Sequence, residues 1–520
     1  MFSLTKLKRA VVEGLTIIER DKALIEGTVY ASANRRVVGR LVYTHHFPCQ
    51  GLQEPKSDDD LGVSVQGYFN VRGRKMVGFG HVANDVSPAA VERALGRARE
   101  NAIYDPYFHG FPEPEREPRR RSKVSADPKL LALLSDPKRE GKALADMSFK
   151  TLEGALRVFE RYHKRETRLN DPDFIVSGDN FLITERMALA STKGMQASDE
   201  STIVMSFLSA MVERAHSKGR GWGASSSLRT FDPAKTGEEA AREAIAGIGG
   251  VAIPTGNYAV VLGPQAVNEI FSNLLLASFS APTLDFRLSI FSGRFGEMVS
   301  SPLLTMHDDA TIPGGAASKG VTDEGYQTAR VPLIERGRFA GFLSNDYYRK
   351  KLLNQSDEDL REKIGPYARE HLNQIIPRSG FRFGAGGGRV AAFEPGISAT
   401  NLVISSAEPV SRETLFRRVK NGVYIGALWY TYPIAGMKAG EISGTAVADT
   451  FRIKNGKLAE PIRVNSLRIR ANLRDLVKSI IGITSKPRPT ILWASDEITY
   501  APEVAISNVH LEAIRHDATE

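Results

Sequence analysis

Tyr258-Ala259-Val260-Val261-Leu262-Gly263-Pro264-Gln265-Ala266-Val267-Asn268-Glu269-Ile270-Phe271-Ser272-Asn273-Leu274-Leu275-Leu276-Ala277 is the stretch on which the reading of this chain turns. Residues 258–262 form a continuous apolar run, as in a strand buried on both faces. Gly263-Pro264 ends the run, and a proline at a first helical position opens a helix over 264–278. Downstream, β signals dominate at 330–335, 339–343, 401–405, 423–429, 441–453 and 461–467. Turns at Glu335-Arg336-Gly337 and Lys454-Asn455-Gly456 separate some of them.

Upstream, an amphipathic helix over 236–246 ends in Gly247-Ile248-Gly249-Gly250, which places a boundary near 250. Before it come a helix and strand start over 8–31 and alternating strands at 37–45 and 62–69. A polar loop containing Asp58-Asp59-Asp60 is expected between those strands. Arg72-Gly73-Arg74 reads as a hairpin turn, and Ser87-Pro88 as an N-cap followed by a first helical residue. Residues 110–142 alternate prolines with charges and read as a linker, with a short helix at 130–134. A helix over 148–165 and strands at 181–190 and 201–213, joined through Lys193-Gly194, complete this half. The expected fold is α+β, with an N-terminal α/β domain over 1–250 and a β-rich C-terminal domain over 251–520.

The composition fits that reading. The chain has 520 residues, 42% hydrophobic and 25% charged, enough for two or three domains with buried cores. No apolar run approaches the ~18–20 residues of a membrane span, and no secretory h-region follows Met1. The net charge is +9, and no zinc-finger or RNP-type motif accompanies it, so a solvated basic surface is favoured over a nucleic-acid footprint. A single cysteine, Cys49, excludes an internal disulfide and fits a cytoplasmic chain.

In order and spacing, these pieces resemble the TldD/PmbA family. The resemblance is carried by Gly62 to Phe79, by Ala188 to Glu200 around Lys193-Gly194, and by Ile253-Pro254-Thr255-Gly256 before Val260. Phe291-Ser292-Gly293, Asp323-Glu324-Gly325 and Gly440-Glu441-Ile442-Ser443-Gly444 follow in register. The resemblance implies two kinds of subunit. TldD-type chains carry a His-Glu-x-x-x-His helix and a later cysteine, which hold zinc and activate its water. TldE/PmbA-type chains lack those ligands. Aligned without gaps, the three helix positions fall here on Ser272, Asn273 and Ala277, and no histidine lies between His216 and His307. Serine and asparagine are poor zinc ligands and alanine has no donor atom. The later cysteine position falls in Ile491-Leu492-Trp493-Ala494-Ser495.

Other clusters invite chemistry. His45, His46 and Cys49 could bind a metal, although neighbouring strand residues point to opposite faces. His307-Asp308-Asp309 reads as a turn, and Gly384-Ala385-Gly386-Gly387-Gly388-Arg389 as a flexible loop rather than an anion cradle. Trp429-Tyr430-Thr431-Tyr432 suits either sheet packing or a peptide groove. Arg294, Phe295, Glu297, Tyr430 and Tyr432 are the candidate cavity residues, with no catalytic residue and no metal ligand in this chain. The resemblance implies a zinc-free subunit that pairs with a TldD-like zinc peptidase and shapes a cavity for unfolded peptides, the zinc residing in the partner. It also supplies an older family label, modulator of DNA gyrase, read as an indirect effect. The alternatives are a stand-alone homodimeric peptide-binding protein and a hydrolase with a non-metal site, for which no Gly-x-Ser-x-Gly elbow appears.

Overall fold

The structure is a computed structural model that describes residues 2–44, 52–115, 126–165, 174–384, 388–492 and 497–514. The N-terminal half is built on a long antiparallel sheet of six strands. Helix α1 (Leu4–Ile18) is capped by the Ser3 hydroxyl and leads into β1 (Leu24–Thr44), β2 (Leu52–Val71) and β3 (Arg74–Ala83). Helices α2 (Pro88–Glu100), α3 (Pro128–Leu133) and α4 (Pro137–Arg165) precede β4 (Phe174–Ser191), β5 (Gln196–Val212), β6 (Ser217–Ser225) and α5 (Pro233–Ala246). The strand order is β3-β2-β1-β4-β5-β6.

The loop expected around Asp58-Asp59-Asp60 is part of β2. Asp58, Asp59 and Asp60 stand opposite Arg36, Arg35 and Asn34 of β1. Arg36 pairs with Asp58 at 3.0 Å and Arg35 with Asp59 at 2.5 Å. Cross-strand charge pairs thus hold as a ladder what reads in isolation as a polar loop. The expected linker over 110–142 also contains packed structure. Leu130 and Leu134 are buried with Val37 and Leu182, and the start of α4 lies within it.

Glycines set how closely the helices approach this sheet. A Cβ at Gly78 or Gly80 of β3 would lie 1.9 or 2.0 Å from the carbonyl oxygen of Ala98 or Ala94 in α2. Gly219 and Gly221 of β6 meet α5 in the same way, at Ala240 and Thr236. A side chain at any of these four positions would push a helix off the sheet.

The C-terminal half holds a six-stranded and a seven-stranded sheet. β7 (Gly256–Leu262) lies between Gly422–Pro433 and Val504–Ala513 in the larger one. Gly422–Pro433 also pairs with Glu441–Lys454, which pairs in turn with Leu467–Asn472, so five strands close into a ring. β8 (Thr305–Asp309) lies in the smaller sheet beside Asn401–Ser405. Two sequence readings shift here. Residues 339–343 keep only Arg338–Phe339 as strand, and 461–467 connects Lys457–Pro461 to Leu467–Asn472.

A buried ionic seam joins the two halves. Lys319 pairs with Glu185 of β4, and its ammonium also donates to Ser201 at 3.1 Å. Arg389 donates to Asp199 of β5 at 3.0 Å, and the Tyr30 hydroxyl of β1 donates to Asp323 at 2.9 Å. Burial alone would raise the Glu185 carboxyl, but Lys319 and Arg389 outweigh it and hold its pKa below the ordinary value.

Candidate functional site

The helix expected over 264–278 does not run through. Helix α6 (Pro264–Ile270) starts with proline at its first turn, then opens into a π turn at Phe271–Leu275 and tightens into a 3-10 turn at Leu276–Phe279. A π turn inserts one residue, so the side chains beyond it are rotated about 100° from an unbroken helix. Ser272 is buried and its hydroxyl donates to Glu497 at 3.0 Å. Asn273 is exposed and its amide donates to the Thr431 hydroxyl at 2.9 Å. Ala277 lies in the 3-10 turn and offers no polar atom.

Thr431 reaches this helix because its strand is irregular. The pairing of Gly422–Pro433 with Glu441–Lys454 shifts register between Trp429 and Tyr432, and Tyr430 sits at φ +50°. Such a bulge re-aims side chains. Thr431 donates to the Glu269 carboxylate at 2.6 Å, and Gln265 donates to the same carboxylate at 3.3 Å. Burial raises the Glu269 pKa against the opposing pull of Thr431 and Arg220. Arg220, from β6, stacks its guanidinium 4.8 Å from the Trp429 ring, and burial lowers its own pKa. The Trp429 and Tyr430 rings stack at 5.3 Å. Trp429, Tyr430 and Tyr432 are 48%, 69% and 51% exposed, so the bulge presents aromatic faces to solvent beside the half-buried Glu269 carboxylate.

These residues do not suit a zinc ion. Ser272 already donates to Glu497, the Asn273 amide is held by Thr431, and Ala277 has no donor. Among the described residues no three His, Cys, Asp or Glu side chains come together as metal ligands. The cluster instead carries an exposed amide, a hydroxyl and exposed aromatic faces.

The other candidates lie apart from it. Phe295 is core, packed on Phe339 and His371. Arg294 donates to Glu297 at 2.9 Å and to the Met298 carbonyl at 3.0 Å, closing a turn in which Gly293 and Gly296 adopt positive φ. Arg389 is buried in the seam. His307-Asp308-Asp309 is strand β8, not a turn, because Asp308 and His307 pair with Leu402 and Val403. The adjacent histidine and Asp308 therefore point to opposite faces and form no acid–base pair. His45, His46, Cys49 and 493–495 of the cysteine segment lie outside the described residues. Sequence reasoning missed Glu269, Arg220 and Glu497. Glu269 alone left a signal, four residues before Asn273 and so on the same helical face.

The architecture is that of an α+β chain with one six-stranded sheet in its N-terminal half and a six- and a seven-stranded sheet in its C-terminal half, the last carrying a strand–helix unit whose helix has no histidine or cysteine. The family model of the PmbA/TldA metallopeptidase C-terminal domain matches residues 255–513, and that of the central domain matches 149–248. The chain belongs to the PmbA/TldD family. A metalloprotease of Methanothermobacter thermautotrophicus is 23% identical over 310 residues, 57% of this chain and 60% of that protein. A metalloprotease TldD homolog of Haemophilus influenzae is 29% identical over 185 residues, 33% of this chain and 38% of its own length. The chain thus spans less than two thirds of these curated relatives. Among solved structures, TldE from Thermococcus kodakarensis superposes with a TM-score of 0.72 at 17% identity, covering 97% of this chain and 100% of that one. A Thermotoga maritima protein described as a modulator of a DNA gyrase superposes equally well, TM-score 0.72 at 20% identity, covering 97% and 99%. At such identities the likeness is one of fold.

Proposed function

We propose that this chain is a zinc-free subunit of a TldD/TldE-type peptidase complex, in which a TldD-like partner supplies the zinc and cuts unfolded peptides. The observation that supports this reading is the helix itself, where the resemblance aligns Ser272, Asn273 and Ala277 with the family's zinc motif and the first two are engaged by Glu497 and Thr431. In this reading Asn273, Thr431, Tyr430 and Tyr432 hold peptide at the cavity wall, with main-chain pairing along the exposed part of Gly422–Pro433. The chain acts in the cytoplasm and binds no nucleic acid. The exposed rings of Trp429, Tyr430 and Tyr432 would equally serve a second copy of the chain, which keeps the stand-alone homodimer as the alternative.

The test is metal content and mass in solution, on the chain alone and with a TldD-type protein. Zinc-free chain alone, with zinc and peptide cleavage appearing only in a joint complex, is the expected result. Stoichiometric zinc in the lone chain overturns the reading, and a metal-free self-dimer that refuses the partner selects the alternative.

A further inference from the structure

Six basic side chains are buried among the described residues, those of Arg186, Arg220, Lys319, Arg378, Arg382 and Arg389. Five of them have partners. Arg186 pairs with Glu200, Arg378 with Glu115 and Arg389 with Asp199. Lys319 is held by Glu185 and Ser201, and Arg382 by Ser64 and the Phe393 carbonyl. Arg220 differs. It is 8% exposed, and its guanidinium makes no hydrogen bond or ion pair with any described residue. A charge taken out of water without such a partner is costly and rare.

The surroundings hold this group without satisfying it. Arg220 and Trp222 lie two residues apart on β6 and so share one face of the N-terminal sheet. The guanidinium carbon is 5.9 Å from the Trp222 ring and 4.8 Å from the Trp429 ring of the C-terminal half. Phe207 packs on Trp222 at 4.5 Å, and Tyr430 on Trp429 at 5.3 Å. Rings from both halves therefore fix the cation, but ring contacts satisfy none of its N–H donors. Burial opposes the charge, and the Glu269 and Glu243 carboxylates support it only from beyond ion-pair contact. Both are engaged by other donors. Glu269 accepts from Thr431 at 2.6 Å, and Glu243 from the backbone N–H of Arg220 at 3.0 Å.

The Arg220 nitrogens are not among the sealed unpaired atoms, in contrast to both side-chain polar atoms of Asn268. The ring beside them, Trp429, is half exposed. A guanidinium fixed by rings, largely desolvated and without a counterion suits a carboxylate, which takes two parallel N–H groups from it.

We propose that Arg220 binds a carboxylate of the peptide held at the Trp429–Thr431 bulge, that of its C-terminus or of an acidic side chain. The proposal rests on the peptide-holding reading of this surface and names a substrate class for it, unfolded peptides with a negative charge next to the residue that packs on Trp429 and Tyr430. Glu269 tempers the site, because its own negative charge opposes the incoming one.

Fluorescence anisotropy on the full chain tests this with three labelled forms of one Gly/Ser-rich peptide containing a C-terminal Phe. The first ends in a free carboxylate, the second is amidated, and the third is amidated with Glu before the Phe. The free acid or the Glu peptide is expected to bind at least about tenfold more tightly than the neutral amide, the scale of one charge-assisted contact. Which of the two does so identifies the source of the carboxylate. Arg220→Gln is expected to bring both charged peptides to the level of the neutral amide, whose retained binding shows that the variant is folded. Glu269→Gln is expected to tighten the charged peptides and leave the neutral one unchanged. If none of the three binds the parent, the peptide reading falls and this proposal with it. Equal binding of all three by the parent overturns this proposal alone. So does a charge preference that survives in Arg220→Gln, or weaker binding of the charged peptides by Glu269→Gln.

Discussion

The Thr431 hydroxyl donates to Glu269 across 2.6 Å, tying the bulged strand to the helix that carries Ser272 and Asn273. The bond aims at a carboxylate whose folded pKa is raised above its ordinary 4.5, first by burial. The folded state therefore holds the proton more tightly than the unfolded state. Its contribution to stability is complete below about pH 4.5 and is lost as pH rises through the folded pKa. Glu269→Gln keeps an acceptor for Thr431 and removes the titration. The variant is expected to match the parent at pH 4.5 and exceed it at pH 8 by about 1 kcal/mol. Urea unfolding at the two pH values checks this, and an identical pH dependence in both proteins would count against it.

Lys319 and Glu185 make the second test, this time of the seam between the halves. Both side chains are almost fully buried, at 1% and 2% exposure. Lys319→Met leaves the Glu185 charge without its main partner, which costs about 3–5 kcal/mol for a broken buried pair. The double variant Lys319→Met with Glu185→Gln keeps an acceptor for Ser201 and removes the orphaned charge. It is expected to recover more than half of the loss in equilibrium unfolding. A double variant as unstable as the single one would show that Lys319 acts through packing.

What the sequence revealed and concealed divides by range. The Val260 to Ala277 run announced a strand and a helix because burial and proline act locally. The π turn gave no such sign, since Phe271-Ser272-Asn273-Leu274-Leu275 has ordinary helical composition. Asp58 to Asp60 read as loop because their partners, Arg35 and Arg36, lie more than twenty residues away and only the register of β1 on β2 joins them. The same distance hid Thr431 from Glu269 and Lys319 from Glu185. That Ser272, Asn273 and Ala277 are not histidine or glutamate is a matter of residue identity alone, whereas what surrounds Arg220 depends on tertiary placement.

His371 sets an acid limit on stability. Its ring packs against Phe295 at 4.5 Å and Phe342 at 5.4 Å, and burial lowers its pKa from 6.5 to about 4. The folded state favours the neutral ring. Its contribution is complete above pH 6.5 and is lost as pH falls from there toward 4. His371→Phe keeps the aromatic contacts without the titration. The variant is expected to lose about 1–2 kcal/mol less than the parent between pH 7 and pH 5. Thermal melts across that range check it, and parallel curves would refute the assignment.

Asp308 limits stability at the other end. Burial, with Asp309 and Glu497 nearby, pushes its carboxyl from 3.8 up to about 7, even though Thr400 donates to it from both its backbone N–H, at 2.8 Å, and its hydroxyl, at 2.9 Å. The folded state therefore favours the protonated acid. Its contribution is present below pH 3.8 and is lost as pH rises through 7. Asp308→Asn retains the oxygen that Thr400 contacts and cannot ionise. Above pH 8 the variant is expected to be more stable than the parent by about 2–4 kcal/mol, with the advantage shrinking steadily toward pH 5. Denaturant titrations at pH 5, 6.5 and 8 measure that slope. A constant offset across the three would mean that Asp308 is already ionised in the fold, with the Thr400 bonds and not burial setting its charge.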